Sequence, residues 1–416
     1  MNKSFKMKSW FRKIFINRNI FYLWAGQVIS QSGDSIYEIG LLWTMLELTG
    51  SNAATGLVAM AGYLPTLLFG LYAGALADRF DRRKLMMFAD IARVFVVLWV
   101  PLLYFLNGLN GLLLGIFTFF IAIFNTVFLP SRDSMVPQLV KPNQLLKANS
   151  LIQTSWQFSL LLGPAIAGLL IPLIGVIHLF NFDALTFLIS LIFIYKIHTI
   201  RKNKSTQKKP VSDQLKHSLK DVLAGLDYAR KDKIIWALLM ITAIDNLFIM
   251  GPAIVGAPIF VREILKEGAT SYAFVQIAYA IGLLSGTVVL NVFGKKFRNG
   301  HILLWGIVLD GITFLPLLWV TTFWGMFITL VIHSFVIPMI IIPRPTLIHK
   351  IVPTEMQGRI FSMISVAVVG FTAISMGITG VVAEIIPINW IYAIISIFAA
   401  ACGALGWFVK EFREAE

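Results

Sequence analysis

Apolar stretches of about twenty residues alternate with short polar breaks from one end of the chain to the other. Between Ala53 and Ala77 no side chain is charged, the next seven residues, Asp78 to Lys84, carry six charges, and a second long apolar run follows. About twenty apolar residues in a helix span the roughly 30 Å of hydrocarbon in a bilayer, where every peptide group must find its hydrogen-bond partner inside the helix. The pattern predicts helices near 19-46, 53-77, 85-106, 111-131, 150-174 and 177-197, and a second set near 234-260, 272-294, 301-320, 323-342, 356-385 and 389-409. The expected fold class is an all-α polytopic membrane protein of about twelve transmembrane helices.

One long polar stretch interrupts the pattern near its middle. "RKNKSTQKKP" is too charged to pack and reads as a flexible linker. Behind it Leu215, Leu219, Leu223 and Leu226 fall at helical spacing after the capping candidates Ser212 and Asp213, which predicts a helix lying along the membrane surface. The chain therefore divides into a six-helix bundle over 1-195, a cytoplasmic linker over 196-233 and a second bundle over 234-416. The halves repeat faintly: "ADRFDRRK" after span two matches "GKKFRNGH" after span eight, and "PSRDSMVPQLVKPNQ" after span four matches "PRPTLIHKIVPTEMQ" after span ten. Such matches are expected of a parallel repeat about an axis along the membrane normal.

Composition agrees with this reading. The 416 residues are 57% hydrophobic and 13% charged, against about 25% charged in soluble domains. The net charge of +14 would suggest nucleic acid if it were clustered on one face. Instead, of the 35 Lys and Arg residues, all but Arg93, Arg262 and Lys266 fall on the segments that are cytoplasmic when the amino terminus is inside. That distribution places both termini in the cytoplasm and excludes a nucleic-acid partner. The basic first eighteen residues read as a tail and not as a removable signal. Cys402 is the only cysteine, so no intrachain disulfide, thiolate metal site or redox pair can form.

Ionisable residues at bilayer depth are costly and usually face a cavity or a partner. In span one, Gln27, Gln31, Asp34 and Glu38 are spaced four, three and four apart and share one helix face. The stripe is expected to line the central cavity, where repulsion between two carboxylates one turn apart favours a bound proton on one of them. Asp34 and Glu38 are thus candidates for proton coupling. Asp245 joins them as the analogue of Asp34 in span seven. Gln27, Gln31, Asn125, Trp156, Gln157, Asn246 and Asp310 are candidates for the substrate cavity. Asp183 reads as structural, and Asp90 and Arg93, three apart on span three, as a structural pair. Gly74 is expected to let span two approach another helix, while Arg82 and Arg83 are placed to bond Asp133. Lys295 stands in the second half where Asp78 would be, so that copy has lost its acid.

These residues carry a resemblance. "GALADRFDRRK", with Gly74, Asp78, Arg82 and Arg83 in place and Asp81 where a glycine is usual, resembles the loop two-three signature of the major facilitator superfamily. "VPQLVKPNQLLKANSL", "NFDALTFLIS" and "KIVPTEMQGRIFS" resemble its macrolide-efflux-like branch, which is also similar to siderophore exporters. "GPAIAG" resembles the span-five motif of drug exporters, with Gly163, Pro164 and Gly168 as a hinge. The resemblance implies the major facilitator fold in two six-helix bundles. It also implies that Asp78 pairs with the start of span eleven near Thr354 and Glu355, as a gating latch.

No phosphate loop of the form GxxxxGK[ST] occurs, and the six histidines show no metal-ligand spacing. The chain is expected not to be an enzyme, with no cofactor and no metal, and with a proton gradient as its energy source. The expected function is export of an amphipathic small molecule, drug or macrolide-like, by proton antiport across a bacterial-type cytoplasmic membrane. A siderophore exporter and a non-transporting membrane sensor or scaffold are the alternatives. Small-molecule substrate and lipid bilayer are the expected partners, and the chain is expected to be monomeric.

Overall fold

A computed structural model describes residues 15–198 and 223–408. Among these, helices α1 (Arg18–Thr49), α2 (Asn52–Arg79), α3 (Arg82–Phe105), α4 (Gly111–Leu139), α5 (Pro142–Ile174) and α6 (His178–Tyr195) make the first half. The second half has α7 (Lys233–Glu263), α8 (Ala269–Phe293), α9 (Asn299–Leu318), α10 (Phe323–Ile351), α11 (Thr354–Val382) and α12 (Ile388–Gly406). Eleven of them are long and apolar enough to cross a membrane. α1, at 32 residues, has the length as well, and its polar stripe lowers its apolarity. Ser212, Asp213, Leu215 and Leu219 of the expected surface helix lie outside the described residues. Leu226 packs on the core of the second half, and Leu223 is exposed.

Several helices outlast their apolar runs. α4 continues to Leu139 instead of ending near 131, and α10 to Ile351 instead of 342, through Pro338, Pro343 and Pro345. These added turns are amphipathic and bury Met135, Val136, Leu347 and Ile348 in two separate cores, one in each half.

By contact the described residues form two units, one within 15–41 and 68–198, the other within 42–67 and 223–408. In the first, α3 packs along α4 and α6, and α5 crosses α1 at Gly163, where an added Cβ would stand 2.5 Å from the Ser35 Cβ. Pro164, beside this crossing, lies inside continuous helix. In the second, α9 packs along α12 and α8 along α10, and α7 meets α11 at Gly251, where a Cβ would fall 2.3 Å from the Ser375 carbonyl oxygen. The pairs α1–α5 and α7–α11, and α3–α6 and α9–α12, are equivalent under the sequence repeat.

The α1–α2 turn belongs to the second unit. Asn52 donates to Glu263 at 2.7 Å, and Arg262 donates to the Leu46 carbonyl. Glu384, in the turn after α11, accepts from Ala53 N at 2.9 Å and Ser51 Oγ at 2.6 Å. Below these bonds Gly56 of α2 lies so close to Gly380 of α11 that a Cβ on Gly56 would be 2.7 Å from the Gly380 Cα and 2.5 Å from the Met376 carbonyl oxygen.

Two outcomes are expected. Gly56→Ala should lower the thermal unfolding midpoint of the purified protein by the equivalent of about 1–3 kcal/mol of overpacking, whereas Gly70→Ala, with open space around its Cβ position, should leave it unchanged or slightly raised; equal effects would refute the contact. The Ala53 amide and Ser51 hydroxyl hold the Glu384 carboxyl below its ordinary 4.5. A lowered folded-state pKa contributes stability that is complete above the unfolded value and lost as pH falls through the folded one. The midpoint should therefore drop as pH falls below about 4.5, and Glu384→Gln should flatten that drop; parallel pH profiles would show that the carboxylate does not hold the turn.

Candidate functional site

The stripe on α1 is distributed among three neighbours. Gln27 is 1% exposed and accepts from Arg132 Nη1 of α4 at 3.1 Å, while Gln31 accepts from Ser155 Oγ of α5 at 3.0 Å. Asp34 lies 3.7 Å from Arg93 Nη1 of α3, and 39% of its side chain is accessible. Glu38 has no ion-pair partner among the described residues.

Behind Asp34 the bundle holds a charge cluster. Arg93 is 1% exposed, donates to Asp90 one turn earlier on α3, and is sandwiched between the rings of Phe187 at 4.1 Å and Phe128 at 4.6 Å. Asp183 of α6 is fully buried. Its Oδ1 accepts from Thr186 at 3.3 Å and its Oδ2 has no partner. It reaches α1 at Gly33, where an added Cβ would be 2.6 Å from the same Oδ1. Carboxylates from two helices, Asp34 of α1 and Asp90 of α3, thus share one guanidinium, and Asp183, read from sequence as structural, is a third buried acid against α1.

The second unit repeats the placement with other chemistry. Asp245 of α7 pairs with Arg344 of α10 at 3.6 Å, and both are largely buried. Asp310 of α9 lies 3.7 Å from His333 of α10, which also bonds Thr313 at 3.1 Å and stacks on Phe314. Sequence reasoning missed Arg344 and His333. Arg344 looked like one more basic loop residue, and the signal was its position, since Arg132, at the matching end of α4, reaches across to α1 as Arg344 reaches to α7.

Three expectations are corrected. Asn246 does not face a cavity: it is 5% exposed, donates to the Thr242 carbonyl at 2.8 Å and accepts from Thr372 of α11 at 3.2 Å. Asp310 is likewise sealed against His333. Arg82 and Arg83 do not bond Asp133. Arg82 pairs with Asp78 at 3.8 Å, Arg83 donates to the carbonyls of Ile194 and Tyr195, and Asp133 pairs with Arg132, because each finds a partner nearer in the chain or at the end of α6. Of the other cavity candidates, Trp156 is 41% exposed, and Gln157 and Asn125 are partly buried. Among the described residues no group of three His, Cys, Asp or Glu side chains is placed to hold a metal ion.

Residues 14–416 match the profile of the family described as transmembrane secretion effector. The chain belongs to this family of the major facilitator superfamily. It is a family of multi-pass membrane transporters and not of enzymes. Among its relatives, Macrolide efflux protein A of Streptococcus pyogenes is 24% identical over 82% of the chain and 83% of the relative. The Multidrug efflux pump Tap of Mycolicibacterium fortuitum is 21% identical over 92% and 93%. The fold is shared with a POT family transporter solved in complex with 5-aminolevulinic acid, with a TM-score of 0.78 at 11% identity over 95% of this chain and 97% of that one.

Removing Arg93 should leave buried carboxylates uncompensated, at a cost of about 3–5 kcal/mol. Arg93→Gln is expected to lower the unfolding midpoint sharply, and Asp90→Asn added to it should recover part of the loss; an additive double variant would show that the two side chains do not act as a pair.

Proposed function

We propose that the chain is a secondary active exporter that exchanges protons for an amphipathic small molecule, of drug or macrolide-like kind, across a cytoplasmic membrane with both termini inside. The observation that carries this reading is Asp34: a partly accessible carboxylate on α1, in contact with a buried guanidinium that Asp90 also claims. Two carboxylates share this one cation and the buried Asp183 Oδ2 has no partner, so a proton on one acid is the cheapest way to keep these groups buried at low dielectric. Protonation of Asp34 releases Arg93 to its other partners, and deprotonation draws it back. Such an exchange ties proton occupancy to how α1, α3 and α6 are held, which is what alternating access requires. Glu38, one turn further along the same face, is a second acceptor, and Asp245 with Arg344 is the corresponding pair in the other unit.

Export, as opposed to uptake, is favoured by the relatives whose names are macrolide efflux protein and multidrug efflux pump. In this reading the charge knot at Asp78 serves as the latch of one end state, and the exposed Trp156 together with Gln157 offers a surface for a bulky ligand.

The test is efflux of a fluorescent amphipathic dye from loaded vesicles with and without an imposed pH gradient. Asp34→Asn is expected to lower gradient-driven flux at least tenfold, the scale of losing one essential proton-transfer group, with membrane levels unchanged. Wild-type flux in that variant would remove Asp34 from the coupling. Gradient-independent behaviour of the unaltered protein toward a broad panel of compounds would favour the scaffold.

A further inference from the structure

The second-half copy of the charge-knot loop is not absorbed by transport. In the first half the loop supplies its own anion: Asp81 is the N-cap of α3 and accepts from the Lys84 amide at 3.0 Å. The repeat aligns Asp81 with Arg298 and Asp78 with Lys295. Arg298 is the N-cap of the 16-residue helix that opens α9, gives no side-chain cap, and is followed by a first turn without an acidic residue. The exchange therefore leaves amide donors at a positive helix end with basic residues where the carboxylates stood.

This loop borders a cavity of about 610 Å3 between the end of α8, the start of α9 and the end of α10. Lys296 and Arg298 line it from the loop and Lys350 from α10, and among the described residues no carboxylate lines it. Its remaining wall is largely apolar, with Phe297, Ile302 and Ile342. Just outside, Val292 and Phe293 at the end of α8 are 62% and 57% exposed. A site with three cations, an uncapped helix start and an adjoining apolar wall fits a phosphate that carries acyl chains better than a soluble anion, which would gain nothing from the apolar half.

We propose that this cavity binds the phosphate group of an anionic glycerophospholipid, with its chains leaving along α8. The site goes beyond the transport reading and does not rest on it, because occupancy is read at equilibrium without flux.

The full-length protein is titrated with phosphatidylglycerol, phosphatidylcholine or inorganic phosphate and followed by native mass spectrometry. Phosphatidylglycerol is expected to remain bound where phosphatidylcholine does not. At about fivefold per cation, the combined Lys296→Gln, Arg298→Gln and Lys350→Gln variant should bind it about a hundredfold more weakly. Lys231→Gln, which removes an exposed cation paired with Asp227 in the same unit, should change nothing. If the triple variant does not fold, Lys350→Gln alone, with an unchanged melting temperature, should lose about fivefold. Equal retention of the two lipids, or undiminished phosphatidylglycerol binding in the charge variants, overturns the proposal. Inorganic phosphate binding as tightly as the lipid overturns the lipid assignment.

Discussion

Arg93 is a single guanidinium placed where water is excluded, and the first unit is arranged around it. Two phenylalanine rings close over its faces, Asp90 takes one edge and Asp34 the other. A charge at this depth is tolerated only with partners, so α1, α3 and α6 are bound to one another by electrostatics as much as by shape. Removing water is what makes the cluster strong, and leaving Asp34 partly accessible is what keeps it responsive. Were Asp34 as sealed as Asp183, the cluster would be a rivet; were Arg93 as open as Asp34, bulk solvent would screen it.

The second unit keeps the architecture and changes the chemistry. Its helices pair as in the first, yet its charges are divided into two small groups, Asp245 with Arg344 and Asp310 with His333. The loops after α2 and α8 show the same divergence. One retains its carboxylates and caps its helix, while the other has basic residues in those places and an open, cation-lined cavity beside it.

Periodicity and charge were enough to read most of the fold and one wall of the site. The four, three and four spacing of Gln27, Gln31, Asp34 and Glu38 is a local property of α1, and a shared face follows from helix geometry alone. Asp90 and Arg93 are legible for the same reason. Arg344 was not, because prolines on both sides made it look like loop, whereas α10 continues through them with its last turns packed on α7 and α11. His333 and Asn246 were not legible either. What each bonds is settled by a neighbouring helix, and a single sequence does not say which neighbour that is. The apolar criterion also set helix ends too early wherever the last turns were amphipathic, as in α4.

The crossing of Gly56 and Gly380 carries a consequence for motion. Most helix interfaces are cushioned by side chains that change rotamer and absorb a displacement of an ångström or so. Here peptide faces peptide, with nothing between them that can give. A small slip forfeits dispersion contact at once and a larger one lets lipid or water enter, so intermediate separations have little to hold them. The joint behaves as a detent, engaged or disengaged, and lends the α1–α2 turn a snap-like character that longer side chains would have blurred.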